Sequence, residues 1–120
     1  MELNEYQKKA MATRMDSCAN YAYMSEGLDG EVGEFKGKVA KLIRKGIVAV
    51  HDNKLFLFSD GEGREELLAG LKAELGDILW FVAGLADEFC WSLEDVAQAN
   101  IDKLASRQVR GVIDGEGDNR

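Results

Sequence analysis

The chain has 120 residues, which suits a single domain spanning residues 1–120 with a modest core, and at this size association between copies would help to bury apolar surface. Its formal net charge is −7, from 15 basic and 22 acidic residues, and this argues against nucleic acid or an anionic membrane as the main partner. We therefore expect a soluble homo-oligomer.

The N-terminal segment and the cysteines do not indicate export. Residues 1–16 are polar and charged, without the apolar centre of a signal peptide, and the longest uninterrupted apolar run, residues 78–83, is too short to cross a bilayer. Cys18 and Cys90 do not form a C-x-x-C pair, so we interpret them as reduced thiols. The expected location is the cytoplasm, with no membrane partner.

The first predicted helix begins near Asn4. Asn4 followed by Gln7 resembles a capping box, and the weak apolar face behind it predicts a helix that runs to about Met15. The stretch from Cys18 to Gly30, which contains glycines and clustered tyrosines, is interpreted as a connection to the second helix.

The second predicted helix is amphipathic and runs to about Lys45. Its last turn is basic and Gly46 follows it, as the helix dipole and a left-handed C-terminal residue favour. Lys38 lies one turn beyond Glu34 and is the best candidate among these cations for contact with an anionic ligand. The apolar stripe consists of Leu28, Val32, Phe35, Val39 and Leu42.

Residues 47–58 break the helical period and predict a β-hairpin. β-Branched and aromatic residues flank the turn-forming pair Asp52-Asn53. Both predicted strands are apolar on both faces, which an isolated hairpin does not tolerate in water. We therefore expect the hairpin to pack on the helices or on another subunit.

The third predicted helix runs from Glu65 to Phe89. Glycine inside a helix costs about 1 kcal/mol relative to alanine. We therefore expect Gly76 and Gly84 to allow a close approach of a neighbouring backbone or ligand. Its apolar stripe consists of Leu67, Leu71, Leu75, Ile78, Val82, Leu85 and Phe89.

The fourth predicted helix has the clearest start signal. Ser92 suits the N-cap position and Asp95 closes a capping box. The segment 111–120 has three glycines and is predicted to be a flexible C-terminal tail. The expected buried face of this helix consists of Leu93, Ala97, Ile101 and Leu104.

Two short signatures of the form acid, aliphatic, glycine, acid lie on the second and third helices. In Glu31-Val32-Gly33-Glu34 and Glu74-Leu75-Gly76-Asp77, a turn of about 100° per residue places both acids on one face beside the apolar stripe. Burying both stripes in one bundle could bring the four carboxylates together. Two carboxylates about 5 Å apart repel by roughly 3 kcal/mol at an effective dielectric of about 20, so such a cluster needs a cation. Ligation by oxygen alone suits Mg²⁺ or Mn²⁺.

Exposed acids are the rule on surface helices, so the alternative is a non-catalytic acidic helical interaction module whose hairpin docks a partner. A ferritin-like di-iron protein would need Glu-x-x-His pairs, and neither acidic helix contains a histidine. The signature occurs twice, each time with a central glycine and beside the core stripe. This repetition favours a cation site.

Further motifs stand in a fixed order with the acidic signatures. The set consists of Asn4-Glu5-Tyr6-Gln7, residues 28–34, residues 74–80, residues 100–104 with Arg107, and Gly117-Asp118-Asn119-Arg120. In this order the chain resembles the MazG-like nucleotide pyrophosphohydrolases of the all-α NTP pyrophosphatase superfamily, which also includes the dimeric dUTPases. The resemblance implies an all-α, four-helix-bundle-like fold in which the hairpin at 47–58 is a small insertion.

The resemblance implies hydrolysis of a nucleoside triphosphate to the monophosphate and pyrophosphate, in nucleotide-pool control or house-cleaning. The residues that would hold Mg²⁺, or Mn²⁺, are Glu31, Glu34, Glu74 and Asp77, with Glu31 and Glu34 as the catalytic pair. On the substrate side, Lys103 and Arg107 would contact the triphosphate, Asn100 the sugar or a phosphate, and Arg120 the nucleotide of a neighbouring subunit. Relatives commonly form dimers or tetramers.

Two features depart from the family pattern. Many relatives carry a further glutamate directly before the first signature, where this chain has Gly30, so the general base and the number of metal ions stay open. The hairpin lengthens the gap between Glu34 and Glu74, which leaves dimer and tetramer as alternatives. The preferred base and sugar stay open as well. The candidates for contact with the base are Trp80, Phe81, Tyr21 and Asn20.

Overall fold

The computed structural model describes residues 1–58 and 63–120, and these residues form four α-helices and one two-stranded sheet. The helices are α1 (Leu3–Met11), α2 (Tyr21–Arg44), α3 (Gly63–Glu88) and α4 (Leu93–Val109), and the strands are β1 (Val48–His51) and β2 (Lys54–Leu57). The prediction of an all-α fold with a small hairpin is confirmed. Across the two described ranges, no helix combines the length and the apolar character needed to span a membrane.

The centre of the fold is an antiparallel pair formed by α2 and α3. A Cβ atom added to Gly84 would overlap Met24, and one added to Gly27 would overlap the Phe81 ring. The earlier residue of α2 thus meets the later residue of α3, which shows that the two helices run in opposite directions. Glycines at these crossing points let the helices approach closely, and Met24 is fully buried between them. A close approach therefore occurs at Gly84, but the neighbour is the Met24 side chain and not the backbone or ligand that was predicted. At Gly76 a Cβ would meet no atom of the described residues within 4 Å, so no neighbouring backbone among them approaches it, and the approach of a ligand stays a prediction.

The hairpin lies where it was predicted. Its strands pair antiparallel, with Val48 opposite Leu57. Asp52 and Asn53 have φ angles of 49° and 61°, the left-handed conformation that a two-residue type I′ turn requires. Val48 is buried and β1 contacts α2, so the hairpin packs on the helices along one side. The apolar side chains that stay exposed on it are Val50, Leu55, Phe56 and Phe58.

The capping box predicted at Asn4 is wrong. Helix α1 begins before Asn4, at an N-cap, Glu2, whose side chain makes no capping hydrogen bond. Instead Gln7 Oε1 accepts from the Leu93 N–H at 2.9 Å and Asn4 Oδ1 accepts from the Glu94 N–H at 3.1 Å. These two side chains therefore accept hydrogen bonds from N–H groups in the first turn of α4, which have no partner within that helix. The first N–H groups of α1 lack a partner within their helix in the same way.

The connection between α1 and α2 is shorter than predicted. Helix α2 begins at Tyr21, and Asn20 caps it by accepting a hydrogen bond from the Tyr23 N–H at 2.8 Å. The glycines that suggested a loop, Gly27 and Gly30, lie inside α2, and the packing of Gly27 against α3 offsets the low helix propensity of that residue. The predicted start of α4 is confirmed, since Ser92 Oγ accepts from the Asp95 N–H at 3.0 Å.

The buried face of α3 differs from the predicted stripe. Leu75 is 55% exposed and Phe89 51%, whereas Glu74 of the acidic signature is only 7% exposed. Helix α3 carries apolar residues on most of its circumference, so the spacing alone did not select the face that packs on α2. The predicted buried face of α4 is also wrong in its second half, where Ile101 is 59% exposed and Leu104 39%.

The single chain leaves much apolar surface uncovered. Its accessible area is 8771 Å², whereas a folded monomer of 13.3 kDa has about 6,500 Å². Among the described residues, the buried hydrophobic ones are Ala10, Met24, Val48, Leu71, Phe81, Ala83, Ala86 and Leu93. This core is small for the length of the chain.

Candidate functional site

Three carboxylates from α2 and α3 converge next to the helix crossing. One oxygen from each of Glu31, Glu74 and Asp77 lies within 4.8 Å of the other two. Glu31 lies one turn along α2 from Gly27, and Asp77 one turn back along α3 from Phe81. Because Gly27 packs on Phe81, the antiparallel pairing places these acids opposite each other.

Two oxygens of this cluster are buried without a partner. Among the described residues, Glu31 Oε2 and Glu74 Oε2 make no hydrogen bond. A buried carboxylate oxygen without a hydrogen bond or a cation is costly. Neighbouring oxygen ligands of a six-coordinate Mg²⁺ lie about 3 Å apart, since each is about 2.1 Å from the ion, so small side-chain rotations would let these three residues bind one. The donor set therefore fits a hard divalent cation.

The electrostatics of the cluster agree with this fit. Burial raises the pKa of the Glu31 carboxyl, and the nearby carboxylates of Glu34 and Asp77 raise it further. Glu34 itself is exposed, and its carboxylate lies close enough to Glu31 to raise the pKa of the Glu31 carboxyl. Three of the four acids in the two signatures therefore form the cluster, and the fourth lies at its rim. A bound cation would lower the pKa of Glu31 by favouring the ionised form.

Two further side chains lie beside the cluster: Lys38, which the sequence placed one turn beyond Glu34, and Tyr6, which it did not place there. The Lys38 ammonium bonds to the Glu74 carboxylate, and this bond is the main cause of a raised pKa at Lys38. Burial, and then the charge of Asp77, raises the pKa of the Tyr6 phenol, so this side chain of α1 lies near the cluster. The position of Lys38 one turn beyond Glu34 was a usable signal. The position of Tyr6 was not, because nothing in the sequence places α1 beside α3.

Lys103 and Arg107 form a second polar group with Asp118. Arg107 Nη2 lies 3.0 Å and Lys103 Nζ 3.4 Å from the same oxygen, Asp118 Oδ1. Arg107 is 5% exposed and Asn100, on the same helix, is exposed. Within residues 1–58 and 63–120, the ion pairs of Lys103 and Arg107 are with Asp118 and not with the carboxylate cluster. The spacing of Lys103 and Arg107 predicted their proximity, but the contact with Asp118 had no signal in the sequence.

Arg120 lies in the segment that was expected to be a flexible tail. This segment folds back beside the end of α4, and Arg120 donates hydrogen bonds within it rather than to either acidic signature. Its acceptors are the main-chain oxygens of Val112, Ile113 and Gly117.

All four candidates for contact with a base have partners in the structure, and the partner of Tyr21 is the Phe89 ring, which it meets edge to face. Trp80 Nε1 donates to the Ala10 carbonyl oxygen at 3.1 Å, Phe81 is buried against α2, and Asn20 caps α2. Tyr21 remains 58% exposed and lines an apolar groove of about 360 Å³. The other residues of this groove include Val82, Leu85, Phe89, Trp91 and Val96.

A larger cavity of about 640 Å³ lies between the C-terminal half of α2 and the start of α3. Lys38 lines it and also bonds to Glu74, so the cavity adjoins the carboxylate cluster. Lys41 and Lys45 continue the basic side, and Leu42 and Leu67 are part of the apolar side. An anionic ligand with an apolar portion would suit this lining.

The fold and the cluster together define a class: an all-helical protein whose central helix pair presents carboxylates suited to a divalent cation. The family model of the MazG nucleotide pyrophosphohydrolase domain matches residues 20–111, and the chain belongs to this family. The "Gene 37 protein" of Mycobacterium phage L5 is 42% identical over 105 residues, which cover 88% of this chain and 81% of that protein. No solved structure gave a significant match. The resemblance seen in the sequence is thus confirmed, and the family implies a pyrophosphohydrolase with a nucleotide substrate and, typically, a metal.

Proposed function

We propose that this chain is a Mg²⁺-dependent pyrophosphohydrolase that converts a nucleoside or deoxynucleoside triphosphate and water to the monophosphate and pyrophosphate. The observation that carries the proposal is the convergence of Glu31, Glu74 and Asp77 within 4.8 Å. Membership of the MazG family supplies the reaction class. Nucleotide-pool control or house-cleaning is the role that we propose for this activity.

In the proposed mechanism, Glu31, Glu74 and Asp77 hold the metal. When bound there, Mg²⁺ or Mn²⁺ would supply positive charge for the phosphate oxygens and would lower the pKa of a water molecule. Glu34 stands at the rim, exposed and beside Glu31, where it could take a proton from the attacking water. Lys38 forms an ion pair with Glu74 and would compete with the cation for that carboxylate, and its ammonium would be a further cationic group near a phosphate.

Lys103 and Arg107 are the proposed cationic contacts of the triphosphate, with Asn100 one turn before them. Arginine and lysine on one helix face can donate to neighbouring phosphate oxygens. For Arg120, contact with a neighbouring subunit's nucleotide stays a prediction. The cationic pair of α4 and the carboxylate cluster would complete one site if a second copy brought them together.

Self-association as a dimer or tetramer is part of the proposal. The chain exposes about 2,000 Å² more than a folded monomer of its mass is expected to expose. An area of this size is in the range that obligate interfaces bury. An uncovered stripe on α3, formed by Leu68, Leu75 and Leu79, offers an apolar contact surface. Packing this stripe against a second copy would remove it from water, at about 25 cal/mol for each Å² of apolar area.

The test is incubation of the protein with a panel of ribo- and deoxynucleoside triphosphates and Mg²⁺, with the products identified by chromatography. We expect monophosphate and pyrophosphate, and no reaction after chelation of the metal. Glu74→Gln should abolish the release of pyrophosphate while the helical circular dichroism spectrum is kept. Glu65→Gln, which changes an exposed acid in the first turn of α3, is the matched control and should leave turnover unchanged.

Three results would contradict the proposal. The first is the release of orthophosphate in place of pyrophosphate, which would assign the cleavage to a different bond. The second is full turnover in the presence of a chelator. The third is wild-type turnover in Glu74→Gln, which would remove the carboxylate cluster from the reaction.

A further inference from the structure

The segment 111–120, here named the C-terminal clasp, is organised by one guanidinium. Arg120 Nε donates to the Val112 carbonyl oxygen at 3.0 Å, and its Nη atoms donate to the carbonyl oxygens of Ile113 and Gly117. Arg110, at the end of α4, donates to the main-chain oxygen of Arg120 at 2.6 Å. The clasp is therefore closed on itself and tied to α4.

Two glycines make this closure possible. Gly117 has a φ of 76°, which other residues rarely adopt, and it directly precedes Asp118. A Cβ atom on Gly115 would overlap the side chain of Arg120 and would lie 3.1 Å from the Val112 oxygen. The positive φ of Gly117, the missing side chain of Gly115 and the hydrogen bonds of Arg120 therefore set the path of the chain up to Asp118.

The folded clasp fixes the position of the Asp118 carboxylate. Asp118 Oδ1 accepts from Arg107 at 3.0 Å and from Lys103 at 3.4 Å. The hydrogen bond from Arg107, followed by that from Lys103, lowers the pKa of the Asp118 carboxyl, which keeps it ionised. The Gly117 carbonyl oxygen accepts a further hydrogen bond from Arg107 at 3.4 Å.

The positive charges of Lys103 and Arg107 explain the role of the Asp118 carboxylate. Lys103 and Arg107 lie four residues apart on α4, where two like charges repel each other and favour diverging rotamers. An anion between them offsets the repulsion and holds both side chains in one geometry. Unused donors remain on both residues: the Lys103 side chain is 42% exposed and its ammonium has three N–H groups, and Arg107 Nε is buried without a partner among the described residues.

We propose that Asp118, held by the Arg120 clasp, is a positioning residue that fixes Lys103 and Arg107 side by side as one binding pair for the phosphates of the nucleotide. This inference rests on the proposed function. Positioning lowers the entropy that the two long side chains lose when phosphate binds. Its effect therefore falls on substrate affinity and not on the chemical step.

The test compares Asp118→Ala, Asp118→Asn and Arg120→Ala with the wild type, using steady-state kinetics with Mg²⁺ and calorimetric titration of pyrophosphate. We expect Asp118→Ala to raise KM and the pyrophosphate Kd about tenfold and to leave kcat nearly unchanged, since uniform binding is lost. Asp118→Asn keeps an oxygen acceptor and should recover part of the affinity. Arg120→Ala should reproduce the effect of Asp118→Ala, because it releases the clasp.

The matched control is Asp114→Asn, which removes the charge of another exposed acid in the clasp. It should leave KM and the pyrophosphate Kd at the wild-type values. A merely structural role for Asp118 would lower the melting temperature without the partial recovery in Asp118→Asn. If Asp118→Ala does not fold, Asp118→Asn and Arg120→Lys carry the same comparison.

Opposite results overturn the inference. A lower KM and tighter pyrophosphate binding in Asp118→Ala would make Asp118 a competitor of phosphate and not a positioning residue. Unchanged constants in Asp118→Ala, together with a raised KM in Lys103→Ala, would leave the proposed function intact and remove Asp118 from it. If the wild type hydrolyses no triphosphate, the proposed function fails, and the pyrophosphate titration then decides the role of Asp118 by itself.

Discussion

The Lys38 ammonium of α2 bonds to the Glu74 carboxylate of α3, so one helix neutralises the acid that the other helix buries. Glu74 is 7% exposed, and a buried carboxylate without a counter-charge is costly. Lys38 and a divalent cation are alternative partners for the same group. This competition makes the contribution of Lys38 measurable.

Replacing Lys38 with methionine should lower the melting temperature of the metal-free protein by a few degrees, because Glu74 then lacks a counter-charge. It should also enlarge the increase in melting temperature caused by Mg²⁺, since the ion no longer competes with an ammonium. Thermal denaturation with and without Mg²⁺ measures both effects. Lys36→Met, at an exposed position of α2, is the control. Equal responses to Mg²⁺ in the two variants would refute the competition.

The raised pKa of Glu31 predicts a pH dependence of stability. The folded chain keeps the Glu31 proton to a higher pH than the unfolded chain does, so the free energy of unfolding should decrease as the pH rises above the ordinary glutamate value of 4.5. Glu31→Gln should flatten this decrease, raise the metal-free melting temperature at neutral pH and abolish stabilisation by Mg²⁺. Melting curves at a series of pH values test this. A slope as steep as that of the wild type would count against the prediction, with Glu26→Gln as control.

The helix crossing predicts opposite effects for two glycine substitutions in α2. Gly27→Ala should destabilise the protein by about 1–3 kcal/mol, because the new methyl group overlaps the rigid Phe81 ring. Gly37→Ala meets no atom within 4 Å and should stabilise it by up to about 1 kcal/mol through helix propensity. Urea denaturation of both variants provides the comparison. Destabilisation of similar size in both would show that the crossing is not decisive.

The uncovered stripe on α3 predicts a change in oligomeric state. Leu75→Lys places a charge in the middle of the stripe and should shift the protein toward monomer, because burying an unpaired ammonium at an interface is costly. Analytical ultracentrifugation across a range of concentrations measures the shift. Ala73→Lys, at an exposed position on another side of α3, should keep the wild-type assembly. A monomeric wild type would contradict the prediction directly.

The predicted features that the structure confirms depend on neighbours in the chain. The Asp52-Asn53 turn and the Ser92 N-cap each follow from the chemistry of two to four adjacent residues. The capping box at Asn4 had the same kind of local signal and was wrong. Its side chains found equally suitable N–H groups on α4, and no pattern within α1 could indicate that preference.

The candidate site was predicted only in part, because sequence patterns report on neighbouring residues and not on how the helices pack. Helical spacing predicted that Glu74 and Asp77 share a face, and the repeated signature suggested that Glu31 would join them. The spacing did not show that Glu74 would be buried while Leu75 stayed exposed. Helix α3 is apolar on most sides, so the pattern of this helix by itself did not determine which face packs on α2.

The amino-acid sequence by itself determined the helices, the hairpin and the two acidic pairs, since propensity, capping and turn chemistry act over a few residues. Only the tertiary structure decided that Glu31 meets Glu74 and Asp77, that Lys38 neutralises Glu74, and that Asp118 lies between Lys103 and Arg107. These relations depend on how elements distant in sequence pack. That packing is set by shape, at the contact of Gly27 with Phe81 and at the closure of the clasp, and not by the spacing of residue types.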